Sequence, residues 1–87
     1  MKIRLHKRFQ KRISTLRSNE KKRLIERLAL FIEDEFNPLL ANHLLHGKYK
    51  GYRSINIGGD LRAVYKFLER DEVLFVEIGT HHELYTG

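Results

Sequence analysis

The stretch Lys50–Gly87, KGYRSINIGGDLRAVYKFLERDEVLFVEIGTHHELYTG, decides the fold. It reads as two consecutive β-hairpins running into a short polar tail. Over Gly51–Ile57, Arg53, Ile55 and Ile57 alternate with Tyr52, Ser54 and Asn56, the period of a half-buried strand. Gly58-Gly59 marks a tight turn, because glycine tolerates positive φ. A two-residue Gly-Gly loop would set Asp60 and Arg62 against isoleucines. A three-residue loop, Gly58–Asp60, instead opposes Ile57 to Leu61 and Asn56 to Arg62, and register follows the hydrophobic pattern. The next strand is Leu61–Glu69, with Leu61, Ala63, Tyr65 and Phe67 facing the core. Arg70-Asp71 turns the chain into a third strand, Glu72–Thr80. Simple alternation from that turn opposes Val64 to Glu77, Arg62 to Gly79 and Asp60 to His81. It puts Leu74, Val76 and Ile78 in the core. The other face gathers Asn56, Asp60, Arg62, Glu77 and His81 at one end. Val64, Leu68, Val73 and Phe75 lie at its far end, as a half-apolar docking patch with a polar mouth.

Working back towards the start, Met1–His6 alternates Ile3 and Leu5 with Lys2, Arg4 and His6, a short basic strand suited to a sheet edge. From Lys7 to about Leu16 the period changes: Phe9, Ile13 and Leu16 make one helical stripe, with Lys7, Arg8, Lys11 and Arg12 mainly on the other faces. That basic side is either a solvated face or a phosphate-tracking stripe. Ser18 is the expected N-cap of a second helix, about Asn19 to Glu35, striped by Leu24, Ile25, Leu28, Phe31, Ile32 and Phe36. Asn37-Pro38 ends it, and Leu39–Tyr49 reads as a loop, with one helical turn at most. The second helix is too apolar to read bases, which disfavours a helix-turn-helix DNA reader. The order is therefore β-α-α-β-β-β: an α+β fold with an antiparallel helical hairpin packed on one face of a mainly antiparallel sheet.

The chain of 87 residues suits a single domain, 1–87, with no repeat or linker. Seventeen Lys and Arg against eleven Asp and Glu give a net charge of +6, which favours nucleic acid or an acidic protein partner. The absence of cysteine removes disulfides and thiolate chemistry and fits a reducing cytosol. No signal peptide or membrane span is expected, so the expected location is cytoplasmic. His43 and His46, at i and i+3, lack a cysteine or a nearby carboxylate pair to complete a metal site, so neither metal nor cofactor is expected.

The polar end of the sheet face supplies an arginine to hold a phosphate and a histidine to move a proton, with an aspartate facing it. RNA cleavage through the 2′-hydroxyl needs such parts. Tyr49, Tyr52 or Tyr85 can stack on an unpaired base. The same side chains also fit a structural ion-pair network.

The segments HLLHGKYKGYRSINIGGDLRAVYKF and IGTHHELY resemble the RelE/ParE superfamily of toxins, most closely its YafQ-like branch. The shared pattern is His43-x-Leu45-x-Gly47, Gly51-Tyr52-Arg53, Asp60 before Val64-Tyr65-Lys66, and Gly79-Thr80-His81 with a final aromatic, Tyr85. The resemblance implies a RelE-like fold and a type II toxin that cleaves mRNA on the ribosome without metal, leaving a 2′,3′-cyclic phosphate. Its partners would be ribosome, mRNA and a small, acidic antitoxin encoded alongside. It implies catalytic roles for His43, Asp60, Arg62, His81 and Tyr85, and Lys48, Lys50, Tyr52, Arg53 and Asn56 are the expected RNA contacts beside them. Asn56 stands where the YafQ-like pattern has histidine, and Arg62 where RelE-like members carry a phosphate-binding arginine. The alternatives are a ParE-like gyrase inhibitor and a binding-only member, neither of which needs an acid–base set.

Overall fold

The computed structural model describes residues 1–85. Its elements run β1 (Lys2–Leu5), α1 (Lys7–Ile13), α2 (Ser18–Glu33), β2 (His43–Leu44), β3 (Arg53–Gly58), β4 (Leu61–Glu69), β5 (Glu72–Thr80) and α3 (His81–Tyr85). Single 3-10 turns at Pro38–Leu40 and Gly47–Tyr49 flank β2. The sheet order is β1-β5-β4-β3-β2, with β1 parallel to β5 and the other pairs antiparallel. This is the expected α+β architecture, with β1 on an edge. At that edge Arg4 Nε donates to Glu72 Oε2 at 2.6 Å. The short β2 and α3 are additions to the expected order. The first residues of the expected polar tail form α3, and Thr86 and Gly87 lie outside the described residues. No helix among the described residues is long and apolar enough to cross a membrane.

Helix ends follow local hydrogen bonding. The His6 ring accepts from the Arg8 amide at 3.0 Å and caps α1. Ser14 and Thr15 donate their hydroxyls back to Lys11 and Arg12 carbonyls and close α1 before Leu16. Ser18 is not the N-cap of α2. It is the first helical residue, and the Glu20 carboxylate reaches back to accept the Arg17 amide at 2.9 Å. At the far end Asp34 Oδ1 accepts from Phe36 N, so α2 stops at Glu33 rather than Glu35.

The sheet departs from simple alternation at three bulges. In the first hairpin Asn56 faces Arg62 as expected, but Gly58, not Ile57, faces Leu61, leaving Gly59-Asp60 as the turn. Asn56 Oδ1 accepts from the Gly58 amide across this bulge. Gly58 has φ +121°, and a Cβ there would sit 2.8 Å from Arg23 Cδ, so only glycine fits. In the second hairpin Val64 faces Glu77 and Arg62 faces Gly79, as expected, but Tyr65 faces Phe75. Val76 is the extra residue on β5, and Leu68 is a second one on β4.

The Val76 bulge reverses the expected inward set on the β4–β5 turn side of Glu77, while Ile78 stays in the core as expected. Val73 and Phe75, expected on the outer face, are fully buried in the core with Phe9, Phe31, Ile55, Tyr65 and Ile78. Leu74 is only half-buried, and Val76 packs against the other face. The Phe75 ring lies 5.1 Å from Tyr65, 5.5 Å from Phe31 and 5.6 Å from Phe9 between centroids. Phe67, expected in the core, is 45% exposed at the hairpin tip. The expected stripe on α2 is also too wide: Leu24 and Phe31 are buried, whereas Ile25, Ile32 and Phe36 are exposed.

These placements predict that Phe75→Ala costs about 3–5 kcal/mol by equilibrium urea unfolding, and Phe67→Ala only about 1 kcal/mol. Uninterrupted alternation of β5 predicts the reverse order.

Candidate functional site

The sheet face away from α1 and α2 is not an open docking patch. Val64 is fully buried there beneath Leu45 and Leu84, with Tyr49, Tyr52, Val76 and Tyr85 packed around them. The segment from β2 to β3 and the short α3 therefore cover the apolar end, and the polar groups gather at their margin.

Arg62 is the centre of that margin. Its Nε donates to Ser54 Oγ at 3.1 Å, and one terminal nitrogen donates to Ala41 O at 3.0 Å. Ser54 is fully buried one strand over and aligns the guanidinium. Ala41 has φ 44°, in the left-handed region, which costs a non-glycine residue about 1–2 kcal/mol. That turn aims its carbonyl at Arg62 and brings β2 alongside. His43 Nδ1 then lies 3.0 Å from the same carbonyl and 3.3 Å from the Arg62 terminal nitrogen. Burial pulls the Arg62 guanidinium below the usual arginine range, and the nearby Tyr85 hydroxyl opposes the shift. That hydroxyl is buried without a well-formed hydrogen bond. An arginine stays charged even so, and a partly desolvated cation binds an anion more strongly than an exposed one.

On α3, His81 and Tyr85 are one turn apart, their ring centroids 4.7 Å from each other. Thr80 and Glu83 cap the helix reciprocally: Glu83 Oε1 accepts the Thr80 amide at 2.8 Å, and Thr80 Oγ1 accepts the Glu83 amide at 3.1 Å. The Thr80 amide, and then the Arg12 guanidinium, hold the Glu83 carboxyl below the ordinary glutamate range. His43, Leu44, Leu45, His46, Arg62, His81 and Tyr85 line one cleft of about 360 Å³.

Four of the five expected catalytic residues, His43, Arg62, His81 and Tyr85, thus converge. The fifth, Asp60, does not face His81. Strand pairing ends at Leu61–Thr80, which leaves Asp60 exposed in the turn and His81 at the start of α3. Glu77 pairs instead with Arg8 on α1 at 3.7 Å. The expected RNA contacts disperse. Arg53 lies on the helix side of the sheet, donating to Asn42 Oδ1 at 2.8 Å with its guanidinium over the Phe36 ring. Asn56 is engaged by the Gly58 amide, and Lys50 is exposed. Lys48 and Tyr52 line a separate cleft of about 250 Å³ with His6, Arg8, Tyr49 and Lys66. Sequence reasoning missed Ser54 and His46 as parts of the site. Ser54 was placed on the correct face by alternation, but its bond to Arg62 runs diagonally across the pair. Among the described residues no three His, Cys, Asp or Glu side chains gather closely enough to hold a metal ion.

Residues 1–86 match the model of a protein family described as the YafQ bacterial toxin of type II toxin–antitoxin systems. The fold matches YafQ from E. coli strain BL21(DE3) at 22% identity and a TM-score of 0.79, covering 95% of this chain and 96% of that one. YafQ in the E. coli DinJ–YafQ toxin–antitoxin complex matches at 23% identity and a TM-score of 0.76, covering 95% of this chain and 94% of that one. A copper-bound mutant toxin from Helicobacter pylori matches at 26% identity and a TM-score of 0.68, covering 98% of this chain and 99% of that one. No curated protein matches.

The cap on α3 has a pH signature. The native pKa of Glu83 is lowered, so its stabilising contribution is complete above the unfolded glutamate value of about 4.3 and is lost as pH falls through the native value. The stability difference between wild type and Glu83→Gln, measured by urea midpoint, should shrink as pH drops below about 4. A difference that stays constant down to about pH 2 contradicts the assignment.

Proposed function

We propose that this chain, which belongs to the YafQ family of bacterial toxins of type II toxin–antitoxin systems, cleaves messenger RNA on the ribosome through the cleft around Arg62. The observation that carries this reading is the convergence of one partly buried arginine with His43, His81 and Tyr85 in a single cleft.

In the proposed reaction a substrate 2′-hydroxyl attacks the adjacent phosphorus. The new bond is from the 2′-oxygen to phosphorus, and the bond from phosphorus to the 5′-oxygen breaks. The products are a 2′,3′-cyclic phosphate and a 5′-hydroxyl. One base must take the 2′ proton and one acid must supply a proton to the 5′-oxygen. Arg62 can only donate, so it stabilises the charge that builds on the phosphorane oxygens.

The two contacts of His43 Nδ1 require opposite tautomers. Arg62 needs an acceptor there, whereas Ala41 O needs an N–H. The shorter one, to Ala41 O, puts the proton on Nδ1 and leaves the Nε2 lone pair as the base. His81, which lines the same cleft, is then the acid. Tyr85 backs the His81 ring and shields Arg62 from water. Asp60 has no role in this scheme. The cognate partner is an antitoxin, whose masking of the basic surface and the cleft would silence the chain. Gyrase inhibition, the runner-up, needs none of these convergent groups.

In a ribosome-programmed cleavage assay, His81→Ala and Arg62→Ala should each lower the rate by about 10²–10⁴-fold. Arg70→Ala, in the exposed turn at the far end of β4, should stay within about twofold. Unimpaired cleavage by both cleft variants, or gyrase poisoning with no RNA cleavage, overturns the reading.

A further inference from the structure

The helix that carries His81 and Tyr85 has only five residues. An isolated helix of that length does not persist in water, so its position must come from contacts outside itself. Two are present. Leu84 is buried against Val64 and Leu45 on the sheet side. On the other side Glu83 reaches Arg12 of α1, whose terminal nitrogen donates to Glu83 Oε1 at 3.0 Å. Arg12 is itself fixed, because its Nε donates to the Ile78 carbonyl at 3.2 Å.

One carboxylate oxygen therefore collects the Thr80 amide and the Arg12 guanidinium, and one arginine spans the end of β5 and the start of α3. Gly79 leaves room for the pair: a Cβ there would lie 3.2 Å from Glu83 Oε1 and 3.4 Å from the Arg12 terminal nitrogen. Gly79 is also the residue facing Arg62 across the strand pair. Neither Arg12 nor Glu83 lines the histidine cleft. Both line a neighbouring cleft of about 440 Å³ with Arg8, Lys11, Lys48 and Glu77.

We propose that Arg12 and Glu83 form a latch from α1 to α3 that sets His81 and Tyr85 against Arg62. They are positioning residues, acting through the helix rather than on RNA. This extends the cleavage reading given above and rests on it for its kinetic arm alone. The competing reading of Arg12 is a direct phosphate contact in the basic cleft. The two differ in what Glu83 does: in a latch Glu83 helps, whereas beside a phosphate-binding arginine it repels RNA.

The test compares Arg12→Ala, Glu83→Ala, the double variant and Glu83→Gln in the full chain. Amide hydrogen exchange of residues 83–85 should quicken at least ~10-fold in both single variants, with β3 and β4 amides unchanged. Glu83→Gln keeps an acceptor for the Thr80 amide and should fall between wild type and Glu83→Ala. In ribosome-programmed cleavage each single variant should lose ~10–100-fold in kcat with KM within ~3-fold, and the double variant should lose no more than the worse single. Unchanged exchange at residues 83–85 overturns the latch. So does an effect of Arg12→Ala confined to KM and steepened by salt, or faster cleavage by Glu83→Ala. If wild type cleaves no RNA, the cleavage reading falls and the exchange comparison still decides the latch.

Discussion

A single extra residue in β5 lets one strand serve two faces. Without the bulge at Val76, a register that opposes Arg62 to Gly79 would turn Val73 and Phe75 away from α1 and α2. It would also expose the ring that touches Phe9, Phe31 and Tyr65. With the bulge, the half of β5 nearest the β4–β5 turn fills the main core, while Glu77 stays level with Val64 and Gly79 with Arg62. The cost is one unpaired strand position, which is small beside burying two large apolar side chains at about 1.5–3 kcal/mol each.

The site depends on that arrangement at one remove. Arg62 stands at the margin of the second, smaller cluster, where burial strengthens its field and Ser54 and Ala41 hold its orientation. A guanidinium so placed is costly for the free protein and favourable once an anion arrives. The covering elements are short: two residues of β2, one 3-10 turn and five residues of α3. Segments of this length take their geometry from specific bonds rather than from propensity. The strained Ala41 carbonyl serves β2, and the Thr80–Glu83 cap with Arg12 serves α3.

The amino-acid pattern made the strands and the Asn56–Arg62 and Arg62–Gly79 pairings readable, because glycines and an Arg-Asp turn punctuate an alternating run. It concealed the bulges. Val76 lies in the apolar run Val73–Val76, so sliding the alternation by one residue leaves no polar residue out of place. The α2 stripe misled for a related reason, since nothing in the run separates buried Leu24 from exposed Ile25. The catalytic roles of His43 and Tyr85 came through likeness to a family, whereas His81 was already placed beside Arg62 by the strand register. Ser54, Ala41 and Arg12 act through diagonal or long-range bonds that no local pattern announces, whereas Thr80-His81-His82-Glu83 carries the capping-box spacing and was passed over. Asp60 went astray because the facing register was extended one step past the point where β5 gives way to α3.

The central claim is that the cleft around Arg62 drives attack by the 2′-hydroxyl next to the broken bond. Its most direct test is an mRNA carrying a single 2′-deoxynucleotide at the mapped cut site, offered on ribosomes beside the all-ribose message. The account predicts equal binding of toxin and no cleavage at the substituted position, with cyclic phosphate ends on the all-ribose product. Cleavage of the deoxy-substituted site at an undiminished rate would contradict it.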